Sequence, residues 1–324
     1  MRFSLLFILF LLTTVTAFAQ HRDEFGIQTD NDSYLANGSD RYYTNGTFFY
    51  FNRALKLNRD STHLANKVLG FELGQKMYNS QAGQIPTADY DDRPFAGYLY
   101  AGVTLNLLYK DESSIKLSGQ LGAVGPASLA DVTQEWIHNT FGLYKIDGWQ
   151  FQIKNDFEVN LGMEYNRLLF RDAIFDASLA SYAHLGTGFT GAGVGPMLRL
   201  GNFNQLFHSQ ITHSNVTADG DLKPLHKHEL FLYYKPQINY VAYDATIEGG
   251  LFQTHAPQLD YDPSLTGEVV RTPEPFVLSQ QVGGVYSTNR WVFDVSATFD
   301  TQDVKYMIIH AHQWGTIEVL YRFN

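Results

Sequence analysis

The chain alternates. Its last ten residues, GTIEVLYRFN, set Ile317, Val319, Tyr321 and Phe323 on one face and Thr316, Glu318 and Arg322 on the other, with Leu320 the exception. RWVFDVSATF repeats the pattern, Trp291, Phe293, Val295 and Ala297 opposing Asp294, Ser296 and Thr298. A period of two with charge on one face describes strands that turn an apolar side to lipid and a polar side to a lumen. Such segments recur at about 24–32, 44–54, 67–78, 95–109, 115–124, 150–165, 172–186, 191–201, 229–243, 275–288, 290–301 and 314–323. Residues 244–254 extend the ninth strand or add a thirteenth; an even count favours twelve. The pattern therefore predicts an all-β fold, a transmembrane antiparallel up-and-down barrel of about twelve strands.

One segment departs from it. In GPASLADVTQEWIHNTFG, residues 125–142, Leu129, Val132 and Trp136 recur at helical spacing, as do Ala130, Thr133, Ile137 and Phe141. With Gly142 as C-cap, the spacing predicts a short helix over 128–141 in an extracellular loop. Gln134 and His138, four residues apart, share a face of it. Gly122, Gly125 and Pro126 shape the turn that enters it.

Composition narrows the class. The first 19 residues have Arg2, an apolar run from Leu5 to Leu12, and Ala17-Phe18-Ala19 at the cleavage position, which predicts a signal peptide over 1–19 and a barrel domain over 20–324. Removing that segment takes away one cation, Arg2, and no acid, so the net charge of −10 becomes −11. The acidic balance speaks against nucleic acid. The absence of cysteine excludes disulfides, a thiol nucleophile and a cysteine metal site. Aromatic residues make up 15% of the chain, as suits an outer-membrane barrel; a secreted β-sandwich has a similar composition.

Topology gives the polar residues a common place. In an even-stranded barrel the first strand ends at Asn31-Asp32 on the outer rim, the second begins there near Thr44, and Arg93, Gln134 and His138 follow on connections of the same rim. The same count puts 202–226 on the periplasmic side, where connections are usually short. The stretch QTDNDSYLANGSDRYYTNG, 28–46, supplies many oxygen atoms. Strand alternation turns Asp32 inward and Asn31 outward unless the strand ends there. An Asx-type turn opening a loop is the plain alternative for both.

NDSY with DRYYTNG, then DDRPFAGYLYAG, then LGAVGPASLADVTQEWIHNTFG resemble the outer-membrane lipid A 3′-O-deacylases of the LpxR type, over roughly residues 24–50 and 90–150. The resemblance implies a twelve-stranded barrel that binds Ca²⁺ and hydrolyses an acyl ester of lipid A at the outer leaflet. It implies site residues Asn31, Asp32, Thr44, Gln134 and His138. The sequence departs from the family pattern twice. No Lys lies between Met77 and Arg93, where the family has a basic residue, and Tyr144 stands where it has an acid six residues after the histidine.

The chemistry expected is ester hydrolysis. His138 is the candidate general base. Asp32 is the candidate Ca²⁺ ligand, since Ca²⁺ takes several oxygens. Gln134 helps to position the water; Thr44 is a nucleophile or, with no adjacent base visible, orients water and metal; and Asn31 joins them as a candidate catalytic residue. Arg93 binds a lipid phosphate or pairs with Asp91 or Asp92. The partner is lipopolysaccharide in the bacterial outer membrane, the site faces the exterior, and the protein is a monomer. Two rivals stand beside this reading: a non-enzymatic barrel (a small porin or a structural protein), and a phospholipase barrel. THSNV, 212–216, suggests a Ser–His dyad, but adjacent strand residues point to opposite faces.

Overall fold

The computed structural model describes residues 21–35, 40–57, 63–218, 223–253 and 267–324. The segment 1–19, expected to be a signal peptide, lies outside them. Twelve antiparallel strands close into a barrel. They are β1 (Asp23–Asn31), β2 (Tyr43–Ala54), β3 (Leu64–Tyr78), β4 (Ala96–Tyr109), β5 (Ser113–Val124), β6 (Asp156–Arg171), β7 (Phe175–Gly186), β8 (Phe189–Asn202), β9 (Glu229–Asp244), β10 (Phe276–Ser287), β11 (Trp291–Thr301) and β12 (Ala311–Phe323). Each pairs with its neighbours in sequence, and β1 with β12 closes the ring. We call the rim where β1 ends the upper rim, and the other, which holds His21 and Asn324, the lower.

Alternation decides what faces where. Rows of paired residues run outward-facing around the wall: Phe25–Phe51–Phe71–Val103–Gly119–Leu161, and above it Ile27–Phe49–Leu73–Ala101–Leu121–Val159. These rows are almost wholly apolar, and most of their side chains are exposed. The intervening positions (Glu24, Gln28, Asp30, Glu72, Lys116, Glu164, Asp294 and Glu318) face a polar interior. Apolar outside and polar inside is the pattern a membrane-spanning barrel needs.

The lower half of the lumen is filled. The segment joining β8 to β9, on the lower rim as the strand count requires, folds up into the barrel between Phe203 and Thr217. Its backbone carbonyls are received by wall amides: Asn66 Nδ2 donates to Val216 O at 2.7 Å, and Asn106 Nδ2 to Thr212 O at 2.8 Å. Gln210 Nε2 donates to Glu318 at 2.7 Å, and Arg199 to the Ser209 hydroxyl at 2.8 Å. A polar cavity of about 370 Å³ remains above it, lined in part by Lys116, Glu164, Lys235, Asp294 and Glu318. His213 and Ser214 belong to this plug rather than to a strand. Ser214 Oγ donates to Leu206 O and Ser209 O, at 2.9 and 3.1 Å, so the dyad suggested by THSNV is not formed.

Two expectations need correction. The sixth strand begins at Asp156, not near 150, because Trp149–Phe151 is a single helical turn and Ile153 is buried in the upper-rim core, its N–H bonded to Phe95 O at 2.9 Å. The apolar residues there cover a rim rather than face lipid. Residues 244–254 are neither a thirteenth strand nor an extension. Asp244 caps a short helix, Ala245–Glu248, its side chain accepting from Thr246 N at 2.8 Å, and Ala245 and Ile247 are buried at the upper rim.

Candidate active site

The expected helix is present as α1 (Ala130–Phe141), entered through a turn over Gly125–Ser128 and closed by Gly142 at φ 66°. Its position follows from the wall beneath it. Two outward rows above the upper of these apolar rows lies the row Gly315–Asn31–Asn45–Met77–Gly97. By alternation Met77 belongs on the outer face, yet its exposure is 0%. The element covering this row is α1. A Cβ on Gly97 would overlap Ser128 Oγ and Ala130 Cβ, and Gln75 Nε2, one row lower, donates to Ser128 O at 2.7 Å. At the other end of the row a Cβ on Gly315 would lie 2.7 Å from Tyr34 Cβ. Glycine at each end lets an element outside the barrel seat against the wall. The seam between wall and helix therefore lies on the outer side of the barrel, not in the lumen.

Ala130, Gln134 and His138 recur every fourth residue and form the buried face of α1. Gln134 Oε1 accepts from Trp149 Nε1 at 2.8 Å, which fixes its amide. His138 Nδ1 lies 2.7 Å from the carbonyl oxygen of Tyr144. With Nδ1–H donating there, Nε2 is left as the basic nitrogen. Nε2 lies 3.4 Å from Asp40 Oδ2, so two acceptors face one another. Such a pair holds together only by sharing a proton, a water or a cation. Asp40 also accepts from Thr44 Oγ1 at 3.1 Å and from the Tyr144 hydroxyl.

Asp32 completes the group. The strand ends at Asn31, so alternation no longer governs Asp32. The inward orientation expected for it is corrected: its carboxylate is close enough to feel the charge of Asp40 and to act on Tyr144. Oδ2 accepts from Arg41 N at 2.9 Å, while the buried Oδ1 has no partner. Burial first, and then the negative charge of Asp40, push its pKa up to about 7. Burial and the hydrogen bond to Asp40 also raise the Tyr144 phenol. A buried carboxylate short of donors, next to a second carboxylate, is what a hard cation would relieve. Asn45 Oδ1, on the covered row, is likewise buried without a partner. Among the described residues no cluster of three or more His, Asp or Glu surrounds one point, so neutral oxygens and water would complete a shell. Such a mixed oxygen set suits Ca²⁺, and the residues present fit it.

The expected residues separate into three groups. Asp32, Thr44 and His138 come together around Asp40, and Gln134 shares the covered helix face one turn from His138. Thr44 is freed for this by a bulge between Tyr43 and Asn45. Asn31 stands on the covered row, but its Oδ1 accepts from Ser33 N at 2.8 Å and from the Ser33 hydroxyl, the Asx-type turn. Arg93 is elsewhere. It is 1% exposed, donates to Asp303 Oδ2 at 3.0 Å and Thr246 Oγ1 at 3.1 Å, and lies 4.0 Å over the Tyr78 ring. The phosphate role expected for Arg93 does not fit this placement, and its ion-pair partner is Asp303 rather than Asp91 or Asp92. Asp40 and Tyr144 are the residues that sequence reasoning left without a role. Asp40 lay within the oxygen-rich stretch, and Tyr144 marked a departure from the family pattern.

A family model described as outer membrane protein LpxR matches residues 5–323. The chain belongs to the LpxR family. This is a family of outer-membrane lipid A deacylases, and the barrel is accordingly an outer-membrane one. Among solved structures, LpxR from Salmonella typhimurium superposes with a TM-score of 0.70 at 17% identity, covering 93% of this chain and 100% of that one. The β domain of the Bordetella autotransporter BrkA is more distant, with a TM-score of 0.44 at 8% identity over 94% and 100% of the two chains. No curated protein sequence matches the chain. LpxR membership and the twelve-stranded barrel agree with the resemblance seen in the three motif blocks.

Proposed function

We propose that the protein is a Ca²⁺-dependent ester hydrolase that removes the 3′-acyloxyacyl group from lipid A, with the upper rim facing the cell exterior. The observation that supports this reading is the seam between α1 and the outer face of the wall, where the basic nitrogen of His138 meets Asp40, with Asp32 beside it; we read this seam as a cleft at the height of the surrounding lipid. A lipid ester reaches such a cleft sideways, without leaving the membrane.

His138 Nε2 takes a proton from water as that water attacks the ester carbonyl, and the proton then passes to the departing alkoxide. The Tyr144 carbonyl steadies the imidazolium formed in between, through Nδ1–H. Gln134, its oxygen held by Trp149, keeps its Nε2–H for the water or the substrate. Asp32 is the principal candidate to hold Ca²⁺, with Asp40, Thr44 and Asn31 supplying further oxygens directly or through water. Bound there, the ion would supply positive charge for the carbonyl oxygen as negative charge develops on it. Lipopolysaccharide is then the only partner required, and the barrel acts as a monomer.

The plug between Phe203 and Thr217 weighs against the porin alternative, because it occupies the lower lumen. The test is mass spectrometry of lipid A from cells with and without the protein, in Ca²⁺ and in EGTA. Loss of one acyloxyacyl mass only with protein and Ca²⁺ supports the proposal. Release of phospholipid acyl chains instead, with lipid A intact, would favour the phospholipase reading.

A further inference from the structure

Helix α1 is amphipathic in the reverse sense to a helix on a soluble protein. Its face against the barrel carries Gln134 and His138. At 3.6 residues per turn, Leu129, Val132 and Trp136 fall opposite them. All three are exposed, Trp136 by 64%, and Phe141 and Leu143 extend the exposed apolar surface at the helix end. A helix on a water-facing loop places its apolar stripe on the core, and clustered large apolar side chains left exposed mark a contact with something else. From Gly125 to Leu143 there is no Lys or Arg, and the only charges are Asp131 and Glu135.

The wall identifies what that contact is. Gln75, which binds the turn before α1, belongs to the paired row Thr29–Thr47–Gln75–Leu99–Ala123–Phe157. The same row ends at the exposed Phe157, and directly below it lie the exposed Ile27, Phe49, Leu73, Leu121 and Val159. The apolar face of α1 thus continues the lipid-facing band of the barrel upward, one row higher and outside the wall. We infer that Leu129, Val132 and Trp136 are embedded among the acyl chains of the surrounding leaflet, making α1 a lipid-anchored lid. The anchor holds His138 down against the wall, and it sets the cleft at the depth where lipid carbonyl groups lie. This inference takes from the proposed function only its membrane setting; it does not depend on turnover.

The chain has no cysteine, so a single introduced thiol can be labelled uniquely. Val132→Cys is labelled with a nitroxide in protein reconstituted into phosphatidylethanolamine–phosphatidylglycerol vesicles. Its collision rates with oxygen and with a water-soluble nickel chelate are compared with those of Leu121→Cys on the wall and Lys145→Cys on the loop. The inference predicts that position 132 behaves as 121 does, favoured by oxygen and shielded from nickel. Behaviour like that of 145 would overturn it. A second measurement needs no label. In vesicles with brominated acyl chains, the fluorescence lost on Trp136→Phe should be the quenched component, and iodide in the water should not reach it. Quenching of that component by iodide but not by bromine would overturn the inference. Neither readout requires catalysis, so failure of the hydrolase reading and failure of this one are separate results.

Discussion

Gly97→Ala tests how the cleft is held together. The added methyl would lie inside the contact distance of both Ser128 Oγ and Ala130 Cβ. Ser128 can rotate, at the expense of its 2.6 Å bond to Gly125 O. Ala130 has no rotamer to escape into, so the start of α1 must lift. Restoring a normal carbon contact of ~3.5–4.0 Å requires a shift of roughly 1 Å or more. Overpacking of this kind costs about 1–3 kcal/mol. The strain falls on the seat of α1, while the strand pairing of the barrel is left intact. At about 1.4 kcal/mol per tenfold, the equilibrium constant for seating α1 falls roughly 5- to 100-fold. A displacement of about 1 Å at a catalytic group has a cost near the upper end of that range. Initial rates of lipid A deacylation in Ca²⁺ should therefore fall by about 5- to 100-fold. Heat-modifiable migration on a gel should remain that of a folded barrel. A folded Gly97→Ala variant with wild-type turnover would refute the claim that packing on the outer wall positions His138.

Other outcomes follow from the same geometry. His138→Asn should fold and lose about 10²- to 10⁴-fold in rate, the usual contribution of a positioned base, whereas His184→Asn, on a strand away from the cleft, should change the rate little. EGTA should abolish activity, with Ca²⁺ restoring it better than Mg²⁺ because the oxygens here sit on loops and suit a flexible, irregular shell; isothermal titration should then show Ca²⁺ binding lost in Asp32→Ala. Arg93→Met should lower thermal stability, at the lower end of the about 3–5 kcal/mol for breaking a buried pair, because it strands Asp303, which keeps some solvent. It should leave the dependence of rate on lipid A phosphate unchanged. Planar bilayers should show no steady conductance from the intact protein, and channels once residues 206–216 are deleted.

The barrel was legible because its signal is periodic and local. All twelve segments are present, and the parity argument that placed Asp32, Thr44, Gln134 and His138 on one rim holds because antiparallel strands leave no choice. Periodicity failed where apolar residues serve a rim core, as at Ile153 and Ala245–Ile247; a buried loop and a buried strand share a composition. The orientation of α1 was not legible. Its two stripes, one apolar and one bearing Gln134 and His138, were both visible, but only the covered row Asn31–Asn45–Met77–Gly97 shows which faces the wall. Arg93 was misread because its partner, Asp303, lies 210 residues away on another connection of the same rim. Asp40 was overlooked because its value rests on proximity to His138, which no local pattern records.

The most direct test of the account combines two perturbations in a single measurement. Lipid A is analysed by mass spectrometry from cells expressing the wild-type protein or His138→Asn at equal levels of folded barrel, with Ca²⁺ or with EGTA. The account predicts loss of one acyloxyacyl group from lipid A in the wild type with Ca²⁺, and intact lipid A in the other three samples. Intact lipid A in the wild type with Ca²⁺, or the same loss in His138→Asn, would contradict it.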